Sequence, residues 1–262
     1  MPSEVWAAGE LYEPYVGRWS RKIAAAFCTW LAPEPGGRWL DVGCGTGALT
    51  EAIANSVAPA RLISVDPSWG FLQHARSRTA DRSVSFSAGD ALALPLGTGS
   101  FDYVVSGLVL NFVADPARAL SEMRRVSRAG GTIAAYVWDY AEGMQLMRYF
   151  WDTAVSLDPA ASNLDEGRRF PICRPDRLEA SFQAAQLSEV SSRGIEVPTV
   201  FADFDDYWSP FLGGQGPAPG YAMSLSAESR SLLRERLRAA LPTGTDGSIS
   251  LVSRAWAVRG TV

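Results

Sequence analysis

The stretch Leu40-Asp41-Val42-Gly43-Cys44-Gly45-Thr46-Gly47 decides how the surrounding chain folds. The apolar residues up to Leu40 predict a strand before the glycines, and residues 48–54 predict a helix after them. Glycine tolerates positive φ and lets the backbone approach a ligand with no Cβ in between. The first turn of the following helix offers N–H groups that have no partner within the helix. The stretch therefore predicts a ligand-binding turn between a strand and a helix.

Two further carboxylates follow the next predicted strands, since Asp66 ends the second and Asp90 follows the third. The carboxyl ends of parallel strands meet at one edge, and a glycine turn with an acid about twenty residues later is typical of nucleotide-type ligands. The glycines and Ala48 also satisfy the dinucleotide pattern G-x-G-x-x-G/A, which is weak alone. Asp41 would repel a pyrophosphate, however, and suits an ammonium instead.

Three carboxylates without a lysine suit a ligand that combines a sulfonium, an ammonium, a ribose and an adenine. In these features the chain resembles the class I S-adenosylmethionine-dependent methyltransferases, and especially their small-molecule, quinone-biosynthesis-like branch with a type 11 methyltransferase domain. The resemblance covers residues 12–138. It implies an α/β fold with a doubly wound, mostly parallel, seven-stranded Rossmann-like sheet, helices on both faces and helical cap insertions. It also implies S-adenosyl-L-methionine as cofactor and S-adenosyl-L-homocysteine as product.

The resemblance further implies which residues contact the cofactor. The methionine portion is assigned to the glycine turn, namely Asp41, Gly43, Cys44, Gly45 and Gly47. The ribose is assigned to Asp66. The adenine is assigned to two short segments, namely Pro67, Ser68, Gly89, Asp90, Ala91 and Leu92. The cleft wall is assigned to the end of the fourth strand, namely Ser106, Gly107 and Leu108.

The segment Tyr12-Glu13-Pro14-Tyr15-Val16-Gly17-Arg18-Trp19-Ser20 is unusually aromatic for a leader. It fits a helix pinned on the sheet, and it also fits a flap over the cofactor. Resembling enzymes place a tyrosine from this region near the reacting centre, and a guanidinium matches a carboxylate in shape. The flap hypothesis assigns Tyr15 and Arg18 to the cofactor, with Arg18 on the methionine carboxylate.

Strands and helices alternate over residues 38–138, which predicts a parallel sheet covered by helices. Strands are expected near 38–43, 61–66, 83–87, 101–106, 131–138, 187–197 and 248–258. The resemblance implies that the last one is antiparallel. Helices are expected near 19–31, 46–56, 69–79, 116–128, 143–155, 175–186 and 226–241. The glycine- and proline-rich residues 213–220 predict a loop.

We expect one methyltransferase domain over residues 1–262. Its predicted parts are an N-terminal helical flap at 1–37 and a cofactor-binding core at 38–138. Two cap insertions are predicted at 139–172 and 200–245, and a last strand near 248–258. The caps are expected to select the substrate.

Composition limits the compartment and the partners. The chain has 262 residues, of which 47% are hydrophobic, enough for the core of one α/β domain. A net charge of −4 argues against a nucleic-acid partner. No apolar run reaches the length of a membrane span, and the N-terminus lacks a signal-like core. Cys28, Cys44 and Cys173 lack metal-ligand or disulfide spacing. We therefore expect a cytoplasmic protein without a metal site, acting on a small molecule.

Methyl transfer is an in-line displacement in which positioning alone can supply roughly 7–11 kcal/mol. No catalytic residue is assigned, because His74 is the only histidine and lies on a predicted helix. Resembling enzymes often carry a histidine after the fourth strand, where this chain has Leu110-Asn111-Phe112. The aromatic density of the caps predicts an aromatic or apolar acceptor, methylated at oxygen, nitrogen or carbon.

Two alternatives remain open from the sequence. A nicotinamide-dependent oxidoreductase would use the same glycine turn, although Asp41 and the lack of a Tyr-x-x-x-Lys pair argue against it. A non-catalytic S-adenosylmethionine-binding partner or regulatory protein would keep the same binding residues without turnover.

Overall fold

A seven-stranded sheet organises the fold in the computed structural model, which describes residues 13–79, 83–213 and 216–262. The strands are β1 (Arg38–Val42), β2 (Arg61–Asp66), β3 (Val84–Ala88), β4 (Phe101–Gly107), β5 (Ser127–Trp138), β6 (Ser188–Phe201) and β7 (Ile249–Thr261). Their order is β3-β2-β1-β4-β5-β7-β6. The pairs β1–β2, β1–β4, β2–β3 and β4–β5 are all parallel. The predicted mostly parallel, doubly wound sheet is confirmed, and its strand order reverses beside β1, where ligands of such sheets bind.

The last strand is antiparallel to β5, as the family resemblance implies. Val262 N–H donates to Gly131 O at 3.0 Å, and Asp139 N–H donates to Arg254 O at 2.9 Å. The chain therefore runs in opposite directions along β5 and β7.

Ten α-helices lie in the described residues, namely α1 (Arg18–Leu31), α2 (Ala48–Ser56), α3 (Trp69–Arg78), α4 (Pro116–Val126), α5 (Gln145–Leu157), α6 (Glu166–Arg169), α7 (Pro175–Ala184), α8 (Phe204–Trp208), α9 (Pro217–Ser224) and α10 (Ala227–Ala240). Shorter 3-10 turns span Pro159–Asn163, Pro171–Cys173 and Ser209–Gly213, and a π-helical turn spans Glu13–Gly17. The sequence marks α4 clearly, because Asp115 caps its N-terminus by accepting from Arg118 N–H at 3.0 Å and Pro116 follows. Within the described residues, no helix is both long and apolar enough to cross a bilayer.

Two predicted element boundaries are wrong. β5 begins at Ser127 instead of near 131, because the pairing with β4 shifts between Phe101 and Tyr103 and leaves extra residues on β5. Gly130 lies in this irregularity with φ of +71°, so the glycine pair marks a bulge within the strand and not a turn before it.

The second error concerns the predicted loop 213–220, part of which is helix α9. Pro217 and Pro219 lie in its first turn, where a missing N–H removes no helical hydrogen bond. Proline therefore starts this helix, although the composition of the segment is typical of a loop. Residues 214–215 lie outside the described residues.

The described chain divides into two compact units. The sheet unit comprises Ser20–Val137, Ile172–Ile195 and Ala255–Val262. The aromatic unit comprises residues 13–19, Trp138–Pro171 and Glu196–Arg254. The predicted caps 139–172 and 200–245 fall almost entirely in the aromatic unit, and their role stays a prediction. The first twelve residues of the predicted flap lie outside the described residues.

The core of the sheet unit is built by fully buried side chains on both sides of its central strands, such as Phe27, Trp39, Leu120 and Ile133. Trp39 stacks on Tyr103 with ring centroids 4.4 Å apart. These residues fix the strands whose carboxyl ends carry the predicted site.

The aromatic unit has a core of its own. Phe150 stacks on Phe211 at 4.5 Å, and the buried Tyr207 hydroxyl donates to Leu146 O at 3.0 Å. Most aromatic side chains of the predicted caps are therefore packing residues. The buried carboxylate of Asp139 is paired with Arg254 Nη2 at 2.6 Å, which satisfies its charge inside the unit.

Candidate functional site

The glycine turn adopts the backbone that the sequence predicts. Gly43, Gly45 and Gly47 have φ of +76°, +51° and +90°, values that cost other residues about 1–2 kcal/mol each. A Cβ on Gly43 would also lie 2.6 Å from Val109 Cγ2. Gly47 caps α2 without a side-chain hydrogen bond, so the first turn of this helix faces the turn with backbone N–H groups.

Asp66 connects the glycine turn to the next two strand ends. Its Oδ2 accepts from Gly45 N–H at 2.9 Å, and its Oδ1 accepts from Ser68 N–H at 2.8 Å. Its backbone carbonyl accepts from Gly89 N–H at 3.2 Å. Burial raises the pKa of Asp66, and the N–H groups of Ser68 and Gly45 oppose this rise. Each carboxylate oxygen keeps a second lone pair, which suits a ribose hydroxyl.

Asp41 is fully buried beneath the turn. Its Oδ2 accepts from the Thr50 hydroxyl at 2.7 Å, and that hydroxyl lies 2.8 Å from Ser64 Oγ. Asp41 Oδ1 has no hydrogen-bond partner among the described residues. Burial raises the pKa of Asp41 to about 7; the Thr50 hydrogen bond opposes the rise, and Asp66 adds to it. An unpaired buried carboxylate oxygen beside a glycine turn is what an ammonium group of a ligand would satisfy.

The segment after β3 forms a hydrogen-bonded turn. Asp90 is exposed, and its Oδ1 accepts from Leu92 N–H at 2.9 Å. Gly89 is packed so closely that a Cβ would lie 2.7 Å from Val65 Cγ1. The backbone of Gly89 is thereby fixed beside Asp66, while Asp90 itself shows only turn chemistry.

The end of β4 lies against β1 and β5. Ser106 Oγ donates to Val42 O at 2.8 Å, so its side chain ties the strands together. A Cβ on Gly107 would lie 2.5 Å from the Tyr136 hydroxyl. Leu108 has φ of +62°, a left-handed conformation that is strained for leucine and is typical of functional turns.

Comparison with known proteins identifies the family. The sequence profile described as "Methyltransferase domain" matches residues 40–135, which include β2 to β4 and parts of β1 and β5. The chain is 40% identical over 176 residues to demethylmenaquinone methyltransferase of Roseiflexus castenholzii, covering 62% of this chain and 72% of that protein. The chain belongs to the class I S-adenosylmethionine-dependent methyltransferases. The cofactor of this methyltransferase is therefore S-adenosylmethionine, and the nicotinamide alternative is wrong.

Solved structures agree on the fold. YcgJ from Bacillus subtilis superposes with a TM-score of 0.59 at 20% identity, covering 93% of this chain and 98% of that one. A second structure is phosphoethanolamine N-methyltransferase 2 of Haemonchus contortus, bound to phosphomonomethylethanolamine and S-adenosylhomocysteine. It superposes with a TM-score of 0.57 at 16% identity, covering 92% of this chain and 52% of that one. Some curated relatives are longer than the shared region, since the chain spans 30% and 46% of two of them.

Two predicted cofactor contacts of the methyltransferase lie in the aromatic unit. The buried Tyr15 hydroxyl donates to Met147 Sδ at 3.1 Å. Arg18 Nη1 donates to both oxygens of Asp206, at 2.9 and 3.2 Å, and its guanidinium lies 4.5 Å from the Trp19 ring. Both side chains thus have partners within their own unit, and their contact with the cofactor stays a prediction.

The remaining predicted residues have modest side-chain roles. Burial, Asp41 and Asp66 together raise the pKa of the Cys44 thiol well above its usual value, so it remains protonated and is a space-filling residue rather than a nucleophile. Pro67 is exposed, and Ser68 Oγ caps α3 by accepting from Phe71 N–H at 3.4 Å.

Sequence reasoning missed Thr50, Ser64 and Asn111. Thr50 and Ser64 complete the buried hydrogen-bond chain from Asp41. Asn111 is buried, and its Nδ2 has no partner among the described residues. Ser64 and Asn111 are polar residues between apolar neighbours, a signal that could have marked these two.

Proposed function

We propose that this methyltransferase moves the methyl group of S-adenosylmethionine to an oxygen, nitrogen or carbon of a small aromatic or apolar acceptor. The observation that carries the proposal is Asp41, whose buried Oδ1 has no partner within the described residues, directly before the glycine turn. A buried charge of this kind is costly unless a ligand pairs with it. The amino-acid end of the cofactor supplies an ammonium for that purpose.

We propose that the cofactor lies along the carboxyl ends of β1 to β4. Asp41 and the turn residues Gly43, Cys44, Gly45 and Gly47 would hold its methionine portion. Asp66 would bind the ribose. The adenine would lie against two segments and the cleft wall, namely Pro67, Ser68, Gly89, Asp90, Ala91, Leu92, Ser106, Gly107 and Leu108. Tyr15 and Arg18 are the contacts with the least support, because each is already hydrogen-bonded elsewhere.

The bound cofactor supplies an electrophilic methyl group on a good leaving group. The protein then has to orient the acceptor and exclude water, which can supply roughly 7–11 kcal/mol of the barrier. His74 lies on α3 outside the strand-end turns, and Asn111 cannot act as a base at neutral pH. These features support transfer by proximity and orientation.

The acceptor class rests on two kinds of support. A relative 40% identical is a demethylmenaquinone methyltransferase, which makes a reduced quinone a candidate acceptor. The predicted caps at 139–172 and 200–245 are rich in aromatic side chains, and we propose that some of them recognise the acceptor. Three free cysteines support the reducing cytoplasm as the compartment.

Calorimetric titration with S-adenosylmethionine, S-adenosylhomocysteine, NAD and NADP tests the binding part. Saturable binding of the first two alone is expected, whereas binding of a nicotinamide cofactor would refute the assignment of the glycine turn. Release of S-adenosylhomocysteine is then followed by mass spectrometry with demethylmenaquinol, simple phenols and aromatic amines. Cofactor binding without product across this panel would favour the non-catalytic regulatory alternative.

A further inference from the structure

Two buried side-chain atoms of opposite polarity, one in β1 and one shortly after β4, lack partners among the described residues. Asp41 Oδ1 is a hydrogen-bond acceptor, and Asn111 Nδ2 is a donor; neither has a partner among the described residues. The two residues are 0% and 9% exposed. Folded proteins satisfy nearly all such atoms, so each one without a partner calls for a ligand or another explanation.

The turn after β4 brings Val109, two residues before Asn111, against the glycine turn. Leu108 has φ of +62° and donates its N–H to Tyr136 O at 2.8 Å, which turns the chain away from the strand. The Val109 side chain then fills the space above Gly43, where a Cβ would lie 2.6 Å from its Cγ2. Asn111 follows two residues later, and Asp41 precedes Gly43 by two. Val109 therefore holds the segment that carries Asn111 against the turn that follows Asp41.

The two atoms match the two charged groups of an α-amino acid. An ammonium donates to a carboxylate oxygen, and a carboxylate accepts from an amide N–H, so one zwitterion would satisfy both. Arg18, the residue that the sequence assigns to the methionine carboxylate, is paired with Asp206 in the aromatic unit. No other cationic side chain of the predicted site competes for that carboxylate.

We propose that the Asn111 side-chain amide donates to the α-carboxylate of the cofactor, opposite the contact of Asp41 with its ammonium. This inference rests on the proposed cofactor site and adds a binding residue to it. A neutral donor tolerates the buried position at lower cost than a buried cation would.

The test compares two ligands on five proteins by calorimetric titration. One ligand is S-adenosylhomocysteine, and the other is its analogue with the carboxylate replaced by hydrogen. Asn111→Leu is expected to lose about tenfold or more in affinity for the first and less than about twofold for the second. Asn111→Asp, which keeps the size but repels the carboxylate, is expected to lose more. The control Asn55→Leu, at an exposed position of α2, should bind both ligands like the wild type.

The outcomes separate this inference from the proposed function. The inference alone is overturned if the wild type binds S-adenosylhomocysteine and the affinity of Asn111→Leu for it is unchanged. It is also overturned if Asn111→Leu loses the same affinity for both ligands. Failure of the wild type to bind overturns the cofactor site as a whole. Asp41→Asn should lower the affinity for both ligands, because both retain the ammonium. This result would show that the analogue occupies the same site.

Thermal unfolding of ligand-free Asn111→Leu provides a second measurement. Removing an unpaired buried donor is expected to raise the midpoint by about 2–4 °C. A lower midpoint would mean that the amide already has a partner without ligand, which overturns the inference. Asn111→Asp keeps the binding test available if the leucine variant does not fold.

Discussion

Replacing Asp41 by asparagine should stabilise the ligand-free methyltransferase at neutral pH while weakening its cofactor site. The wild-type carboxylate is fully buried and has one oxygen without a partner among the described residues. Asparagine has nearly the same size and can keep the hydrogen bond from Thr50 through its carbonyl oxygen. The substitution therefore removes the charge and leaves the packing almost unchanged.

The magnitude follows from the pKa of Asp41, which burial raises from 3.8 to about 7. The folded pKa lies above the unfolded one, so the unfolded chain loses its proton first as the pH rises. The wild type therefore loses stability between about pH 4 and pH 7, and the loss stays constant above that range. The total corresponds to about 4 kcal/mol. Asparagine does not titrate, so the variant should gain up to that amount relative to the wild type over this interval.

Urea denaturation of both proteins from about pH 5 to pH 8 measures the difference. Asp102→Asn is a suitable control, because hydrogen bonds, first from Arg128, hold the pKa of Asp102 below its usual range. Its titration therefore lies in acid, and its effect on the free energy of unfolding should be the same throughout this pH range.

Parallel stability curves for the wild type and Asp41→Asn would refute the reasoning, because they would mean that Asp41 does not titrate in this range. The cofactor prediction is independent of the curves. The affinity of Asp41→Asn for S-adenosylhomocysteine should fall about ten- to hundredfold, the loss of a charge-assisted hydrogen bond. Undiminished affinity would remove Asp41 from the ammonium contact.

Three further outcomes are expected. Asp66→Ala should weaken the binding of S-adenosylhomocysteine by ~1.5–3 kcal/mol, measured by calorimetry. Unchanged binding by the folded variant would show that Asp66 does not contact the ribose. Gly43→Ala should lower the free energy of unfolding by about 1–3 kcal/mol, because its Cβ would lie 2.6 Å from Val109 Cγ2. Addition of Val109→Ala should recover part of that loss. Strictly additive effects of the two substitutions on the free energy of unfolding would contradict the clash. Arg254→Met should lower the free energy of unfolding, measured by urea denaturation, by about 3–5 kcal/mol, since it leaves the Asp139 carboxylate buried without its cation. A decrease below about 1 kcal/mol would show that water replaces the cation.

Local signals were sufficient for most elements. The alternation of apolar runs with helical patterns, and markers such as Asp115-Pro116, predicted β1 to β4 and α4 within a few residues. They failed where a longer-range contact decided the conformation. The bulge at Gly130 depends on the pairing of β5 with β4, and the helical start at Pro217 depends on how the following residues pack.

The sequence by itself determined the fold class and the positions of the glycine turn, Asp66 and Asp90 at strand ends, because glycine conformation and the order of elements are properties of short segments. Only the tertiary structure decided which of these groups lack partners. Thr50 reaches one oxygen of Asp41 and leaves the other without a partner among the described residues, and Asp206 engages Arg18. The turn at Leu108 places Val109 against Gly43, and Asn111 is buried two residues later. Hydrogen-bond partners and burial come from residues far apart in the chain, so no local pattern contains them.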